Sequence, residues 1–146
     1  MWSVKTFSEL TTTELYAIYE LRVKTFVVEQ QRVYQEVDDI DLNAVHIFKT
    51  VHHKIVAYAR VFKEGAHLSF GRVVVAENLR GHHVGAALMD QILTVARTRF
   101  AGLNMQIEAQ IQVQNFYKHF GFVPSGAPFI FNHTEHIKML KDAQSA

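Results

Sequence analysis

The chain contains no cysteine among its 146 residues. It therefore has no disulfide framework, no thiolate nucleophile and no cysteine-ligated zinc site. No apolar run approaches the ~20 residues that a membrane-spanning helix needs. The first ten residues, MWSVKTFSEL, also lack the basic segment and the apolar segment of a signal peptide. We therefore expect a cytoplasmic protein that does not act in a membrane.

The chain also lacks an excess of charge of either sign. Fifteen Lys and Arg residues stand against fourteen Asp and Glu residues, so no strong field indicates a nucleic-acid partner. Two prolines and seven glycines form no linker, and no internal repeat occurs. A length of 146 residues suits one domain with a substantial core. We expect a single domain over residues 1–146.

Histidine, by contrast, is frequent, but it forms no metal-binding pattern. Nine histidines are scattered along the chain, the pattern HExxH does not occur, and HTEH falls in a predicted turn. We therefore expect no metal site and interpret most histidines as surface or turn residues.

Hydrophobic spacing in the first third of the chain predicts a strand and then a helix. The strand covers about residues 2–7. The helix runs from about Thr12 into Phe26, and Thr11 and Glu14 at its start have the spacing of a capping box. The acidic stretch that follows, EQQRVYQEVDDIDLN, has no clean period and is predicted to be a loop or a short second helix.

The remaining elements predict a layered fold. Three strand-like runs follow, AVHIFKTV, KIVAYARVF and HLSFGRVVVAE, with HHK as a turn between the first two. An apolar face from Leu88 to Phe100 predicts a helix. The alternating stretch LNMQIEA, a short helix carrying Tyr117, and a hairpin in FIFNHTEHIKML with its turn at residues 132–135 come next. This order indicates an α/β or α+β domain, a mixed sheet with helices on its faces.

Residues 80–88, RGHHVGAAL, have the composition of an anion-binding turn. The amide groups at a helix N-terminus lack intrahelical partners and favour a phosphate. Gly81 and Gly85 let the backbone approach such a group, and Arg80 adds a charge-assisted contact. A glycine pair alone fits an ordinary strand-to-helix turn equally well.

Together with NFYKHFGF at residues 115–122, this turn resembles the GNAT superfamily of acetyl-CoA-dependent N-acetyltransferases. The family's pyrophosphate motif, Gln/Arg-x-x-Gly-x-Gly/Ala after a strand, is Arg80-x-x-His83-x-Gly85 here. Its short helix with a tyrosine before Gly-Phe corresponds to Tyr117. The stretch LRVKTFVVEQQRVYQEVDDID, with His46 after it, is similar to the ElaA-like subgroup. Because His83 replaces the motif's first glycine, its backbone needs a negative φ or a tolerated left-handed conformation.

The resemblance implies a GNAT-type mixed, mostly antiparallel sheet in which two strands splay apart around the cofactor, acetyl-CoA. The pantetheine arm of the cofactor would pair with the strand before the motif, and the pyrophosphate would lie at the turn. Tyr117 would protonate the departing CoA sulfur, although its spacing also fits a core aromatic residue. The implied cofactor-binding residues are Val73, Val75, Arg80, Gly81, His82, His83, Val84, Gly85 and Gln110.

A proton must also leave the attacking amine, directly or through water. Glu108 is the catalytic candidate for this step. Glu29, Glu36 and His46 are alternatives, and we predict that these three bind the substrate. The acidic run YQEVDDID predicts either a solvated loop or a wall that attracts a cationic amine.

The sequence therefore predicts an enzyme that transfers an acetyl group from acetyl-CoA to a primary amine of a small molecule or peptide, by direct attack on the thioester. Two alternatives stay open. One is an acyltransferase with a longer acyl donor, since RVKTFVVEQ faintly resembles homoserine-lactone synthases. The other is an acyl-CoA-binding sensor without turnover. An exposed FIF strand would allow a homodimer.

Overall fold

The computed structural model describes residues 1–143 and contains one seven-stranded sheet with the strand order β1-β2-β3-β4-β5-β7-β6. Neighbouring strands are antiparallel except for β4 and β5, which are parallel. The mixed, mostly antiparallel sheet predicted from the sequence is therefore confirmed. The strands are β1 (Trp2–Thr6), β2 (Val45–Val51), β3 (Lys54–Glu64), β4 (His67–Val75), β5 (Met105–Gln110), β6 (Val123–Phe131) and β7 (Thr134–Lys141).

Three α-helices accompany the sheet: α1 (Thr12–Arg22), α2 (Val84–Arg99) and α3 (Gln114–Lys118). The predicted capping box starts α1, because the Thr11 hydroxyl accepts from the Glu14 amide at 3.0 Å and the Glu14 carboxylate accepts from the Thr11 amide at 2.9 Å. The predicted helix continues beyond α1 as a π-helical segment, Val23–Glu29. None of the helices within residues 1–143 is long and apolar enough to cross a membrane.

The two faces of the sheet bury different helices. Alternate residues of a strand point to opposite faces. On β2, Ile47 belongs to the main core under α2, whereas Phe48 packs with Ile18 and Leu21 of α1. Ile107 and Met139 also join the core under α2, so the residues next to them on β5 and β7 face the same side as α1.

The sheet is nearly divided in its middle. Strands β4 and β5 pair at Leu68 and Met105 only, and the Leu68 amide donates to the Asn104 carbonyl at 2.9 Å. Beyond this point β4 bends at a register shift against β3, where Arg72 has a φ of +52°. The two strands diverge and leave a cleft of about 770 Å³ between them, which confirms the predicted splayed pair.

The acidic segment between the π-helical segment and β2 contains both accessible and buried acidic residues, since Asp39 is exposed and Asp38 lines the cleft. It is irregular, with one 3-10 turn over Asp39–Leu42. Glu36 and Asp41 are buried, 5% and 1% exposed, and both pair with Arg22 of α1. Both interpretations of this run were wrong for these two residues, because arginines distant in the sequence neutralise them.

Candidate functional site

The predicted anion-binding turn connects β4 to α2. Gly81 has a φ of +83° and His83 has a φ of +62° as the N-cap residue of α2. His83 therefore adopts the left-handed conformation, one of the two states predicted for it. The first amide of the helix with a helical partner is that of Ala87, which donates to the His83 carbonyl at 3.2 Å. The amides of Val84 and Gly85 precede it, at the positions that an anion can occupy.

Neither histidine of the turn is held by the protein. His82 and His83 are exposed, and His83 makes no side-chain capping bond. Residues 1–143 contain no group of three His, Asp or Glu side chains that could hold a metal ion. The backbone of this turn is therefore fixed, while both imidazoles are free to meet a ligand or solvent.

Arg80 is anchored at the edge of the cleft. Its Nε donates to the Val75 carbonyl at 3.0 Å, and its Nη2 donates to Glu29 at 3.1 Å. The guanidinium is 45% exposed and lines the cleft. Glu29 itself is not among the cleft residues. The structure thus places Glu29 as a partner of Arg80, away from the acceptor position predicted for it.

The end of β4 turns main-chain groups towards the cleft. The Ala76 amide donates to Val56 on β3 at 2.7 Å. Because amides alternate along a strand, the amide and carbonyl of Val75 point to the opposite side, where Arg80 meets the carbonyl. Val73 and Val75 both line the cleft, as predicted for a strand that pairs with an extended ligand.

Tyr117 projects from α3 into the apolar wall of the cleft. It is 8% exposed and packs edge-on against Phe70, Phe116 and Phe122, with ring centroids 5.4 to 6.1 Å apart. Burial raises the pKa of Tyr117 to about 12, so the phenol keeps its proton at neutral pH. The structure brings Tyr117 into the same cleft as Arg80 and Gly85, since all three line it.

The polar wall of the cleft comes from one face of β5. Gln106, Glu108 and Gln110 alternate with buried core residues and all line the cleft. Glu108 is exposed there, on the side of the sheet that α1 covers. Gln110 donates to Gln30 of the adjoining segment at 3.5 Å. Glu108 and Gln110 therefore share the cleft with Tyr117 and Arg80.

His46 is buried beneath the acidic segment and is absent from the cleft lining. Its Nε2 lies 2.9 Å from the Asp41 carbonyl, which can only accept, so Nε2 carries the proton. Its Nδ1 then accepts from the Tyr58 hydroxyl at 2.6 Å. With both nitrogens occupied, His46 cannot contact a substrate, and burial lowers the pKa of His46. Its predicted substrate-binding role is corrected to a structural one.

Glu36 is corrected in the same way. Its carboxylate accepts from Arg22 Nε at 2.7 Å and from Arg72 Nε at 2.9 Å, and also from the hydroxyl of Tyr34. It is missing from the cleft lining. Its lone pairs are directed at protein donors, so it stabilises the segment rather than a substrate.

The same ion-pair network extends to the bend in β4. Arg60 donates to Asp38 at 2.5 Å and to Asp41 at 3.1 Å. Arg72, the residue with positive φ, donates from Nη2 to the Glu36 carbonyl at 3.0 Å. The segment with the acidic residues is thus tied to the part of β4 that shapes the cleft.

The cleft residues that were not predicted from the sequence include Ser69, Arg72 and His136. Ser69 and Arg72 lie in β4, and the sequence does not show that this strand bends at Arg72. His136 was assigned to the surface and turn histidines, although the alternation of HIKML gives Ile137 and Met139 to the core and so turns His136 to the opposite face. That alternation was the available signal.

The chain matches known proteins over nearly its full length. Residues 11–143 match the model of the acetyltransferase (GNAT) domain. Protein ElaA of Escherichia coli is 37% identical over 99% of this chain and 98% of its own, and its crystal structure superposes with a TM-score of 0.93, covering 97% and 99%. An acyl-CoA N-acyltransferase from Pseudomonas aeruginosa is 32% identical with a TM-score of 0.92, over 97% and 98%. The chain belongs to the GNAT acetyltransferase family and, within it, to the ElaA-like subgroup.

Proposed function

We propose that the protein transfers the acetyl group of acetyl-CoA to a primary amine of a small molecule or peptide. One observation supports the proposal: the cleft between the splayed strands β4 and β5 joins the Arg80–Gly85 turn, the end of β4 at Val75, and the buried phenol of Tyr117. These three features match the three parts of an acyl-CoA, which are the pyrophosphate, the pantetheine amides and the thioester sulfur.

The residues of the turn bind the charged end of the cofactor. The amides of Val84 and Gly85 at the α2 N-terminus, with the guanidinium of Arg80, neutralise the pyrophosphate. Gly81 supplies the left-handed backbone that directs these amides outward. The residues present therefore fit the phosphate groups of a CoA.

The β4 strand positions the thioester. The amide and carbonyl of Val75 pair with the pantetheine arm in the manner of an added strand. A main-chain amide of β4 near Val73 and Val75 polarises the thioester carbonyl and stabilises the negative charge that develops on its oxygen.

The reaction then proceeds by direct attack. The amine nitrogen of the acceptor forms a bond to the thioester carbon, and the carbon–sulfur bond of CoA breaks. Tyr117 gives its proton to the departing sulfur, for which a phenol that stays protonated at neutral pH is suited. Glu108 presents a carboxylate on the acceptor side of the cleft, where it attracts the cationic amine or takes its proton.

A donor with a longer acyl chain is the second candidate. The relative from Pseudomonas aeruginosa is described as an acyl-CoA N-acyltransferase, without a stated acyl group. Turnover of acetyl-, butyryl- and octanoyl-CoA with one amine at equal concentration separates the two. A higher kcat/KM for octanoyl-CoA than for acetyl-CoA would replace the acetyl donor in the proposal.

Two further parts of the proposal concern location and assembly. We expect a cytoplasmic protein. We also expect a homodimer through the β6 edge, where Ile130 is 71% exposed and Phe131 is 48% exposed. Pro124 and Pro128 on that strand oppose backbone pairing, so the contact would use side chains. Light scattering of the wild type and of Ile130→Glu decides the assembly.

The decisive experiment combines binding with product analysis. Acetyl-CoA at millimolar concentration should raise Tm, since it binds only the folded chain. Incubation with acetyl-CoA and a mixed library of primary amines should give products heavier by one acetyl group in place of one hydrogen. A rise in Tm without any acetylated product would favour the acyl-CoA-binding sensor. No rise in Tm would contradict both functions.

A further inference from the structure

His136 is a buried histidine inside the cleft that none of the roles above uses. It lies on β7, directly opposite Gln110 of β5, and is 6% exposed. Because its neighbour Ile137 belongs to the core under α2, the imidazole is on the opposite face of the sheet, with Glu108 and Gln110. Tyr117 belongs to the core under α2. The two residues thus line the same cleft from opposite faces of the sheet.

The hydrogen bonding of His136 fixes which ring nitrogen carries the proton. Nδ1 is 2.8 Å from the carbonyl oxygen of Thr134, which has no proton to give. Nδ1 therefore donates, and in the neutral ring Nε2 keeps its lone pair. This arrangement is the reverse of His46, whose Nε2 donates and whose lone pair is occupied by a tyrosine hydroxyl.

The lone pair of His136 is available to a ligand. Within residues 1–143, Nε2 has no hydrogen-bond partner. Among the described residues, two side-chain nitrogens are fully buried and have no partner, Arg32 Nε and Arg60 Nε. His136 Nε2 is not one of them, so it is not completely shielded from solvent. Since His136 lines the cleft, an unpartnered Nε2 that is not sealed in the interior reaches the space of the cleft.

Two aromatic rings hold the imidazole in one orientation. Phe129 stacks on it at 25° with centroids 6.0 Å apart, and Phe131 meets it edge-on at 5.6 Å. Both rings come from the neighbouring strand β6. A ring that packs against two aromatic neighbours and donates from Nδ1 is oriented before any ligand binds, which lowers the entropic cost of a reaction at Nε2.

We propose that His136 is the general base of the acyl transfer and that Glu108 serves to attract the cationic amine. This assignment rests on the proposed function. The bound ammonium first loses one proton to solvent. The neutral amine nitrogen then bonds to the thioester carbon and becomes positively charged, and Nε2 takes one of its protons. The carbon–sulfur bond breaks as Tyr117 protonates the sulfur from the opposite face; the imidazolium then gives its proton to solvent and the Tyr117 phenolate regains one from solvent.

Two charged side chains of β5 and β7 share the face of the sheet with His136. Glu108 lies on β5 two residues before Gln110, directly opposite Lys138, which is two residues beyond His136 on β7. Phe129 of β6 carries no charge, and His133 stands in the adjoining turn. Charged side chains of other elements also line the cleft: Arg32, Asp38, Arg60, Glu64, Arg72 and Arg80.

The test compares three variants in a steady-state assay with acetyl-CoA and an amine found by the product screen. His136→Asn keeps a side-chain N–H for the Thr134 carbonyl but has no base at Nε2. Glu108→Gln removes the carboxylate. His133→Asn is the control, because it lies in the adjoining turn, is exposed and has a φ of +66° that asparagine tolerates.

We expect His136→Asn to lower kcat by roughly 10²-fold or more, within the usual range for a lost general base. The wild type should lose activity as the pH is lowered, and His136→Asn should not show this loss. Tm should be unchanged in the variant, and its Kd for acetyl-CoA should stay within about twofold of the wild-type value. In a fourth variant, His136→Ala, added imidazole should restore part of the lost activity. Glu108→Gln should mainly raise the KM of the amine and keep the decrease in activity at low pH (the acid limb of the pH profile). His133→Asn should behave as wild type.

Other outcomes overturn the assignment. If His136→Asn keeps kcat within threefold, or if Glu108→Gln alone abolishes the acid limb, His136 is not the base. The tautomer has an independent measurement: the 15N shifts of the ring must show a proton on Nδ1 at neutral pH, and a proton on Nε2 contradicts the proposal. If the wild type acetylates no amine, the proposed function fails and the assignment fails with it.

Discussion

The side of the sheet that α1 covers has a closed half and an open half. In the closed half, Arg22, Glu36 and Asp41 bond to one another, and both nitrogens of His46 have partners. In the open half, Glu108 and His136 line the cleft, and the lone pair of His136 Nε2 meets no other protein group within the described residues. Each half contains one buried histidine and at least one acidic side chain, but the acidic residues of the closed half are buried and Glu108 is exposed.

The two halves differ in whether their polar side chains find all their hydrogen-bond partners within the protein. This difference separates residues that stabilise the fold from residues that can act on a ligand. A buried polar group with all its bonds made inside the protein has nothing left for a ligand and serves to fix the chain. A rigidly held group with one free lone pair can act on a substrate. The four predictions below test this contrast, from the largest expected effect to the smallest.

Replacing Arg22 by methionine should cause the largest loss of stability. It removes a guanidinium that is fully buried and leaves the carboxylates of Glu36 and Asp41 without their shared partner. Breaking a buried pair in this way costs about 3–5 kcal/mol. Urea denaturation should show this loss, whereas Arg99→Met on the exposed end of α2 should change the free energy of unfolding by less than about 0.5 kcal/mol. A loss for Arg22→Met no larger than that of the control would contradict a closed network.

Tyr117→Phe should have the next largest effect, on catalysis alone. The change removes the proton donor to the sulfur and keeps the ring that packs on Phe70 and Phe122. We expect kcat to fall about 10²-fold, or about 2.7 kcal/mol of transition-state stabilisation, with acetyl-CoA affinity unchanged. The matched control is Tyr16→Phe, since Tyr16 is exposed on α1. Unchanged kcat in Tyr117→Phe would leave Tyr117 as a core residue only.

The pH dependence of stability should report His46. Burial lowers the pKa of His46 in the folded state below its ordinary value of 6.5. Below about pH 6.5 the unfolded chain therefore binds a proton that the folded chain does not, and stability falls as pH decreases until the folded pKa is reached. The slope from this one group is at most about 1.36 kcal/mol per pH unit. His46→Gln keeps a donor for the Asp41 carbonyl. In this variant the denaturation midpoint should depend less on pH between pH 6.5 and 5 than it does in the wild type. An unchanged slope would mean that His46 titrates normally.

His83→Gly should have the smallest effect. His83 already adopts φ +62°, a conformation that glycine reaches without strain, and its side chain makes no capping bond. The Kd of acetyl-CoA should stay within about threefold or decrease, as measured by calorimetry. His82→Gly is the companion variant for the neighbouring imidazole. A tenfold or larger loss of affinity in His83→Gly would show that the imidazole itself binds phosphate.

The order of elements and the turn before α2 were predictable from the sequence because both depend on local patterns. Strand alternation, the capping box at Thr11 and the glycines around Arg80 are all readable within a few residues. The hairpin was also predicted, and its turn falls at Asn132 and His133, both with positive φ. The change from α-helix to π-helix after Arg22 was not predicted, because nothing in VKTFVVE distinguishes a π-helical turn from an α-helix.

The roles of the acidic residues were not predictable, because their partners are distant in the sequence. Glu36 meets Arg22 from fourteen residues away and Arg72 from thirty-six. Composition showed an acidic run but could not show that three arginines neutralise it. The tautomer of His136 was not predictable for a different reason. It depends on a bond to the Thr134 carbonyl, two residues away, and the sequence pattern does not show which way that carbonyl points.

The single backbone pairing between Leu68 and Met105 has a consequence for how the molecule opens. On one side of it lie β1 to β4, and on the other lie β5, β7 and β6, with side chains under α2 as the remaining connection. Two sheets joined in this way should behave as two cooperative units whose amides exchange with solvent at different free energies of opening. Any extended ligand that bonded to both strands would merge them, so that protection against hydrogen exchange would rise far from the point of contact.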